Sequence, residues 1–162
     1  MNDRDEGFAA YFASRSGAMR GTAFLLCGDW HRAEDLVQTA FVKLYRAWHR
    51  VGAREKLDAY TRQILVRTFL DETRGGFRHR EEPTADTVDR AVPQAAGIED
   101  RLVLVRALAD LPARQRATLV LRFWEDLSVE DTAKALRCSE GTVKSQTSRG
   151  LDAMRELVPA PF

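Results

Sequence analysis

Apolar side chains recur along this chain at helical spacing almost from end to end, and no useful length alternates with the two-residue period of a strand. Residues 7 to 27 carry Phe8, Tyr11, Phe12, Met19, Ala23, Phe24 and Leu26, which predicts an early helix pair or one long helix with a weak point near Gly17. Asp29 is placed to cap the next helix, whose stripe of Ala33, Leu36, Val37, Ala40, Phe41, Leu44, Tyr45 and Trp48 is broader than one core should need. The excess implies that part of the stripe faces a partner. A buried central helix is the simpler reading for Leu36, Val37, Ala40 and Leu44 taken singly. A further helix, residues 57 to 74, sets Tyr60, Ile64, Arg67 and Asp71 along one side and is expected to end at Gly75 and Gly76.

The helical pattern then lapses. Residues 79 to 97, HREEPTADTVDRAVPQAAG, hold two prolines and few large apolar side chains, which predicts an extended linker. Glu81 to Asp89 carries four acids and no base, and reads equally as a solvated tether or as an acidic strand that occupies a nucleic-acid channel. The chain is therefore expected to be all-α, with two small helical domains, residues 1–77 and 98–162, joined by a flexible linker over 78–97.

Within the second domain, LSVEDTAKALRCSEGTVKSQTSRGL, residues 127 to 151, predicts two short amphipathic helices joined by a tight polar turn. Ser128, followed three residues later by Asp131, reads as an N-cap with an acidic first turn, and Val129, Thr132, Ala133 and Leu136 recur behind it. That helix must stop near Arg137. Cys138 is small enough for the turn, Ser139 can cap the next helix, and Val143, Thr147, Leu151 and Met154 form its inward stripe. Thr142, Lys144, Ser145, Ser148 and Arg149 are left outside, and such short hydroxyls with one Lys and one Arg suit phosphates and base edges in a major groove. The plain alternative is a solvated face. Agreement among turn, caps and polar face favours a helix-turn-helix that reads DNA.

Composition narrows the class. No apolar run approaches the roughly 20 residues of a membrane span, and MNDRDEGF puts charges where a signal peptide has its apolar core, so a cytoplasmic chain without membrane insertion is expected. Cys27 and Cys138 fall in unrelated helical segments and are expected as reduced thiols. Cys27 and His31 have a spacing that could set two metal ligands on one helix face. Structural zinc takes four, and no second pair completes a site, so neither metal nor cofactor is expected. No Gly-rich phosphate loop, no HExxH and no nucleophile beside His31, His49 or His79 supports an enzyme. Net charge is only +1, and residues 98–162 hold ten Lys and Arg against ten Asp and Glu. A neutral helix-turn-helix binds DNA weakly by itself and makes sense if a larger partner holds it there.

Three separated motifs now stand in order: AEDLVQTAFVKLYRAW, DAYTRQILVRTFLDETR and, beyond the acidic tether, ALADLPARQRATLVLRFWEDLSVEDTAKALRCSEGTVKSQTSRGL. On these the chain, from about residue 5 to 157, resembles the bacterial extracytoplasmic-function sigma factors, the SigE-like group in particular. The resemblance implies a transcription initiation factor in which sigma region 2 (residues 1–77) and sigma region 4 (residues 98–162) bridge RNA polymerase core and promoter DNA, with catalysis left to the polymerase. It implies that Asp35, Gln38, Phe41 and Tyr45 dock on the polymerase clamp, and that Tyr60, Arg67, Asp71 and Arg74 serve the minus-ten element, where bases are flipped into pockets. It also places Ser139, Thr142, Lys144, Ser145, Ser148 and Arg149 at the minus-thirty-five element, and implies an anti-sigma factor as a further partner. Three features depart from the family pattern: Thr39 where many relatives carry an acid, Arg67 where Asn is frequent, and Gly75-Gly76 where arginines are common. The rival readings are a stand-alone helix-turn-helix regulator with an amino-terminal sensor or dimerisation domain, and a protein whose helices sequester a partner.

Overall fold

The computed structural model describes residues 2–51, 54–74 and 97–159. Asn2 starts the first helix: its side chain accepts the Asp5 amide at 2.9 Å, and Asp3, Asp5 and Glu6 put negative charge at the amino end of α1 (Asp3–Cys27). α1 runs unbroken through Gly17, so the alternative of a helix pair is set aside. It stops at Gly28, whose φ of 71° lets its amide reach the Phe24 carbonyl at 2.8 Å. The Asp29 carboxylate then accepts the amides of His31 and Arg32, at 2.9 and 3.3 Å, and opens α2 (Trp30–Ala47). The chain thus reverses at Gly28 and Asp29, and Cys27 and His31 lie on different helices rather than on one face. Burial pushes the Cys27 thiol up to about 12. Among the described residues, no three His, Cys, Asp or Glu side chains gather where they could hold a metal ion.

Two 3-10 turns, Trp48–Arg50 and Arg54–Lys56, lead into α3 (Leu57–Arg74). α2 packs against both α1 and α3, and this double contact consumes the width of its apolar stripe. Ala33, Leu36, Val37, Ala40, Phe41 and Leu44 are all buried. The inference that the stripe's excess faces a partner is therefore corrected for Phe41. Only 3% exposed, its ring lies 4.9 Å from that of Phe12 and 6.2 Å from those of Phe8 and Tyr11. Tyr11 itself donates to Asp58 at 2.7 Å and shares a 3.0 Å bond with Thr61, and desolvation pushes its phenol up to about 12.

The second lobe comprises α4 (Ile98–Ala109), α5 (Ala113–Leu119), a single π-helical turn (Val120–Trp124), α6 (Val129–Leu136) and α7 (Glu140–Leu157). In the π turn the Glu125 amide reaches back five residues to Val120 at 3.0 Å, and Asp126, at φ 55°, bends the chain away toward α6. α7 crosses α5 closely at Gly150, where an added Cβ would meet Leu119 at 3.1 Å.

The lobes share one core. Phe24, Leu26, Leu65 and Val66 from the first join Val105, Val120, Leu121 and Leu136 from the second in a single buried cluster. The described residues form no strand, and no helix among them is long and apolar enough to cross a membrane. Residues 75–96, with the Gly75-Gly76 stop and the acidic tether, lie outside the described residues.

Candidate nucleic-acid interface

Both caps expected in the helix-turn-helix are formed. Ser128 Oγ accepts the Asp131 amide at 3.0 Å and Ser139 Oγ accepts the Thr142 amide at 3.1 Å. Between them Arg137 takes the left-handed conformation, φ 55° and ψ 50°, and closes α6 in the role usually held by glycine. Thr132, Ala133 and Leu136 are buried with Ala135, while Val129 is half-buried. In α7 the inward stripe is led by Val143, fully buried, with Thr147, Leu151 and Met154 half-buried. Gly150 is buried as well, a position that apolar spacing alone does not reveal.

The opposite face of α7 is available. Lys144, Ser145, Ser148 and Arg149 are exposed, and among the described residues no ion pair engages Lys144 or Arg149. Other hydroxyls are partly committed: Ser139 and Thr142 share a 3.0 Å bond, and Ser145 turns back to the Thr142 carbonyl at 3.2 Å. The remaining strong donors are one cation at the start of the second turn and another about a turn and a half further on, an arrangement that suits a groove-reading helix.

The expected minus-ten residues lie along one side of α3 in differing states. Tyr60 is half-buried, and Asp71 and Arg74 are exposed and pair with each other. Arg67 is held across the lobe boundary, Nε donating to the Ala135 carbonyl at 3.0 Å and Nη2 to the Lys134 carbonyl at 2.9 Å. Burial lowers its pKa, and the nearby charge of Arg137 adds to the shift. On α2, Asp35 and Gln38 are exposed, Phe41 is not, and Val42, 50% exposed, continues their face at helical spacing. Tyr45 ends that face under a clasp from α1: its hydroxyl donates to Asp5 at 2.6 Å, and the Arg4 guanidinium lies 4.8 Å over its ring.

Comparison with known proteins assigns these lobes. Residues 12–78 match the family model Sigma-70 region 2, and residues 101–154 match Sigma-70, region 4. The RNA polymerase sigma-E factor of Streptomyces avermitilis is 37% identical over 150 residues, covering 92% of this chain and 83% of that protein. Its counterpart in Streptomyces coelicolor is 37% identical over 157 residues, with 94% and 86% covered. The chain belongs to the extracytoplasmic-function sigma factors. As a SigE-like sigma factor it is a transcription initiation factor, and the stand-alone regulator is not favoured, since its first lobe is sigma region 2 and not a sensor.

Solved structures agree on the architecture of this sigma factor. The sigma factor RpoE from Bartonella quintana, crystallised with the anti-sigma factor NepR, superposes with a TM-score of 0.75 at 26% identity, over 94% of this chain and 96% of that one. CnrH, solved with the cytosolic domain of CnrY, superposes at 0.68 and shares the fold at 20% identity.

Proposed function

We propose that this sigma factor binds RNA polymerase core in the cytoplasm through the outward face of α2, led by Asp35, Gln38 and Val42, and reads a two-part promoter with its two lobes. α3 serves the minus-ten element through Tyr60, Arg67, Asp71 and Arg74, and α7 serves the minus-thirty-five element through Lys144, Ser148 and Arg149, with Ser139, Thr142 and Ser145 shaping its amino end. The chain performs no catalysis; the polymerase does. An anti-sigma factor is the natural negative partner, as it is for the RpoE that shares this fold.

The observation that supports the reading most is the face of α7, where Lys144 and Arg149 stand exposed on a doubly capped helix-turn-helix. The chain's near-neutral charge fits as well, because a factor carried by polymerase does not need its own basic surplus. The test is transcription from a genomic promoter library by sigma-free core polymerase with and without the purified chain. Transcripts that depend on the chain and share two spaced promoter elements are expected. Transcript profiles unchanged by its addition would contradict the assignment.

A further inference from the structure

Two adjacent residues in the first turn of α1 close on one residue in the last turn of α2. Arg4 donates from Nη2 to the Tyr45 backbone carbonyl at 2.8 Å, and its guanidinium lies 4.8 Å over the Tyr45 ring. Asp5 takes the far end of the same side chain, accepting the Tyr45 hydroxyl at 2.6 Å. Phe8, one turn further along α1, meets the ring at 5.1 Å and 72°. Carbonyl, ring and hydroxyl of a residue that is still 38% exposed are thus each engaged from α1. Starting α1 does not require the Asp5 carboxylate, because Asn2 caps the helix and Asp3 and Glu6 already put negative charge at its amino end. A mere tie between the helices gains little either, since bonds at an exposed rim replace bonds to water.

We propose that Arg4 and Asp5 are positioning residues for core docking, which fix the Tyr45 ring in advance as the end of the surface that α2 presents to polymerase. Tyr45 stands about two turns beyond Gln38 and one beyond Val42 on the outward side of α2. Beside this strip α1 adds Phe12, 38% exposed, whose ring lies 4.9 Å from that of Phe41. A tyrosine free to turn populates several rotamers, and a partner that needs one of them loses affinity in selecting it. Held at ring and hydroxyl, Tyr45 is ordered before polymerase arrives. Its open rim is then a rigid aromatic contact of the kind that anchors interfaces.

This role rests on α2 being the core-docking helix, and the experiment separates the two. Binding of the full chain to sigma-free core polymerase is measured by fluorescence anisotropy, beside the melting temperature of each free variant. Asp5→Ala and Tyr45→Phe should each weaken binding about three- to tenfold, as expected for one side chain no longer held in place. Their melting temperatures should stay within about two degrees of wild type. Combined, they should lose no more than either alone, since both remove the same bond. Asp5→Asn, whose amide oxygen still accepts from the hydroxyl, should restore binding to within about twofold of wild type. Tyr45→Ala should weaken it at least as much as Tyr45→Phe. Wild-type affinity of Asp5→Ala, or additive losses in the double variant, would overturn the positioning role, while a weakened Tyr45→Ala would keep α2 as the docking helix. A loss in Asp5→Ala that tracks a lower melting temperature, and that Asp5→Asn does not restore, would overturn it equally, because the clasp would then serve stability. Wild-type affinity of both Tyr45→Ala and the Gln38→Ala, Val42→Ala pair would remove α2 as the docking helix and the role with it.

Discussion

Arg116 donates from Nη1 to the backbone carbonyl of Leu26 at 2.6 Å, so a cation of the second lobe caps the last turn of α1 in the first. The same guanidinium bonds the carbonyls of Leu108, Ala109 and Leu111 at 2.8, 3.1 and 2.7 Å and lies 5.7 Å over the ring of Phe69. Only a planar fork can serve four carbonyls in these directions. Arg116→Lys should therefore lower stability by about 2 to 4 kcal/mol in urea unfolding, since several buried carbonyls lose their donors. A loss below about 0.5 kcal/mol, the range of an ordinary surface position, would show that the four bonds carry no net stability.

Two helical glycines give opposite expectations. Gly17 in α1 is exposed, with nothing within 4 Å of an added Cβ, so Gly17→Ala should stabilise the fold by about 0.5 to 1 kcal/mol through helix propensity. At Gly150 the Cβ would press on Leu119 at 3.1 Å, and Leu119 is itself buried and has little room to yield. Gly150→Ala should lose that gain and turn destabilising, visible as a lower melting temperature. Equal stabilisation by both would mean that α7 can lift from α5 without cost.

The docking face of α2 separates from its core by substitution. Phe41→Ala should cost roughly 3 to 5 kcal/mol of stability, as a buried aromatic. Val42→Ala with Gln38→Ala should leave the melting temperature within about a degree or two while weakening capture of core polymerase. If the exposed pair leaves capture unchanged, the polymerase surface lies elsewhere on the first lobe.

The helix-turn-helix was the most legible part of the sequence because its signals are local. Ser128 and Ser139 cap within three residues of their partners, and the faces of α6 and α7 follow from spacing alone. Arg137 in a left-handed conformation carries no such mark, since neither its side chain nor its neighbours announce it. The stripe of α2 was legible as a stripe but not in its use, because its width reflects two flanking helices, α1 and α3, that only the tertiary fold supplies. Arg67 in TRQILVRTFL was expected at the minus-ten element and not as a donor to another helix, and Arg116 in PARQRATL reads as an ordinary cation. Their carbonyl partners include residues 67, 68 and 90 positions away, beyond any periodicity. The π turn has no periodic mark either, and the residue whose amide closes it, Glu125, finds its side-chain partners Thr22 and Arg62 far away in the chain.

The two thiols should differ in reactivity. Cys27 is buried and desolvation pushes its pKa up to about 12, so at pH 8 it is held almost entirely as the unreactive thiol. Cys138 is half-buried in the turn between α6 and α7. A native thiol titration at pH 8 should show one fast equivalent and a second only on denaturation. Because the Cys27 pKa is raised, its own rate should climb with pH until about 12. Two fast equivalents in the folded protein would place Cys27 in contact with solvent.

The most direct measurement is transcription by reconstituted holoenzyme from promoters randomised across the minus-thirty-five element, comparing wild type with Arg149→Ala and Lys144→Ala. Arg149 can bond both acceptors of a guanine edge, so Arg149→Ala should cost about 1 to 3 kcal/mol on the preferred site and flatten selection at one base position. Lys144→Ala should weaken all sequences alike and reduce the dependence on salt. Selection profiles for Arg149→Ala that match wild type at every position would contradict the account, because α7 would then not be the helix that reads the promoter.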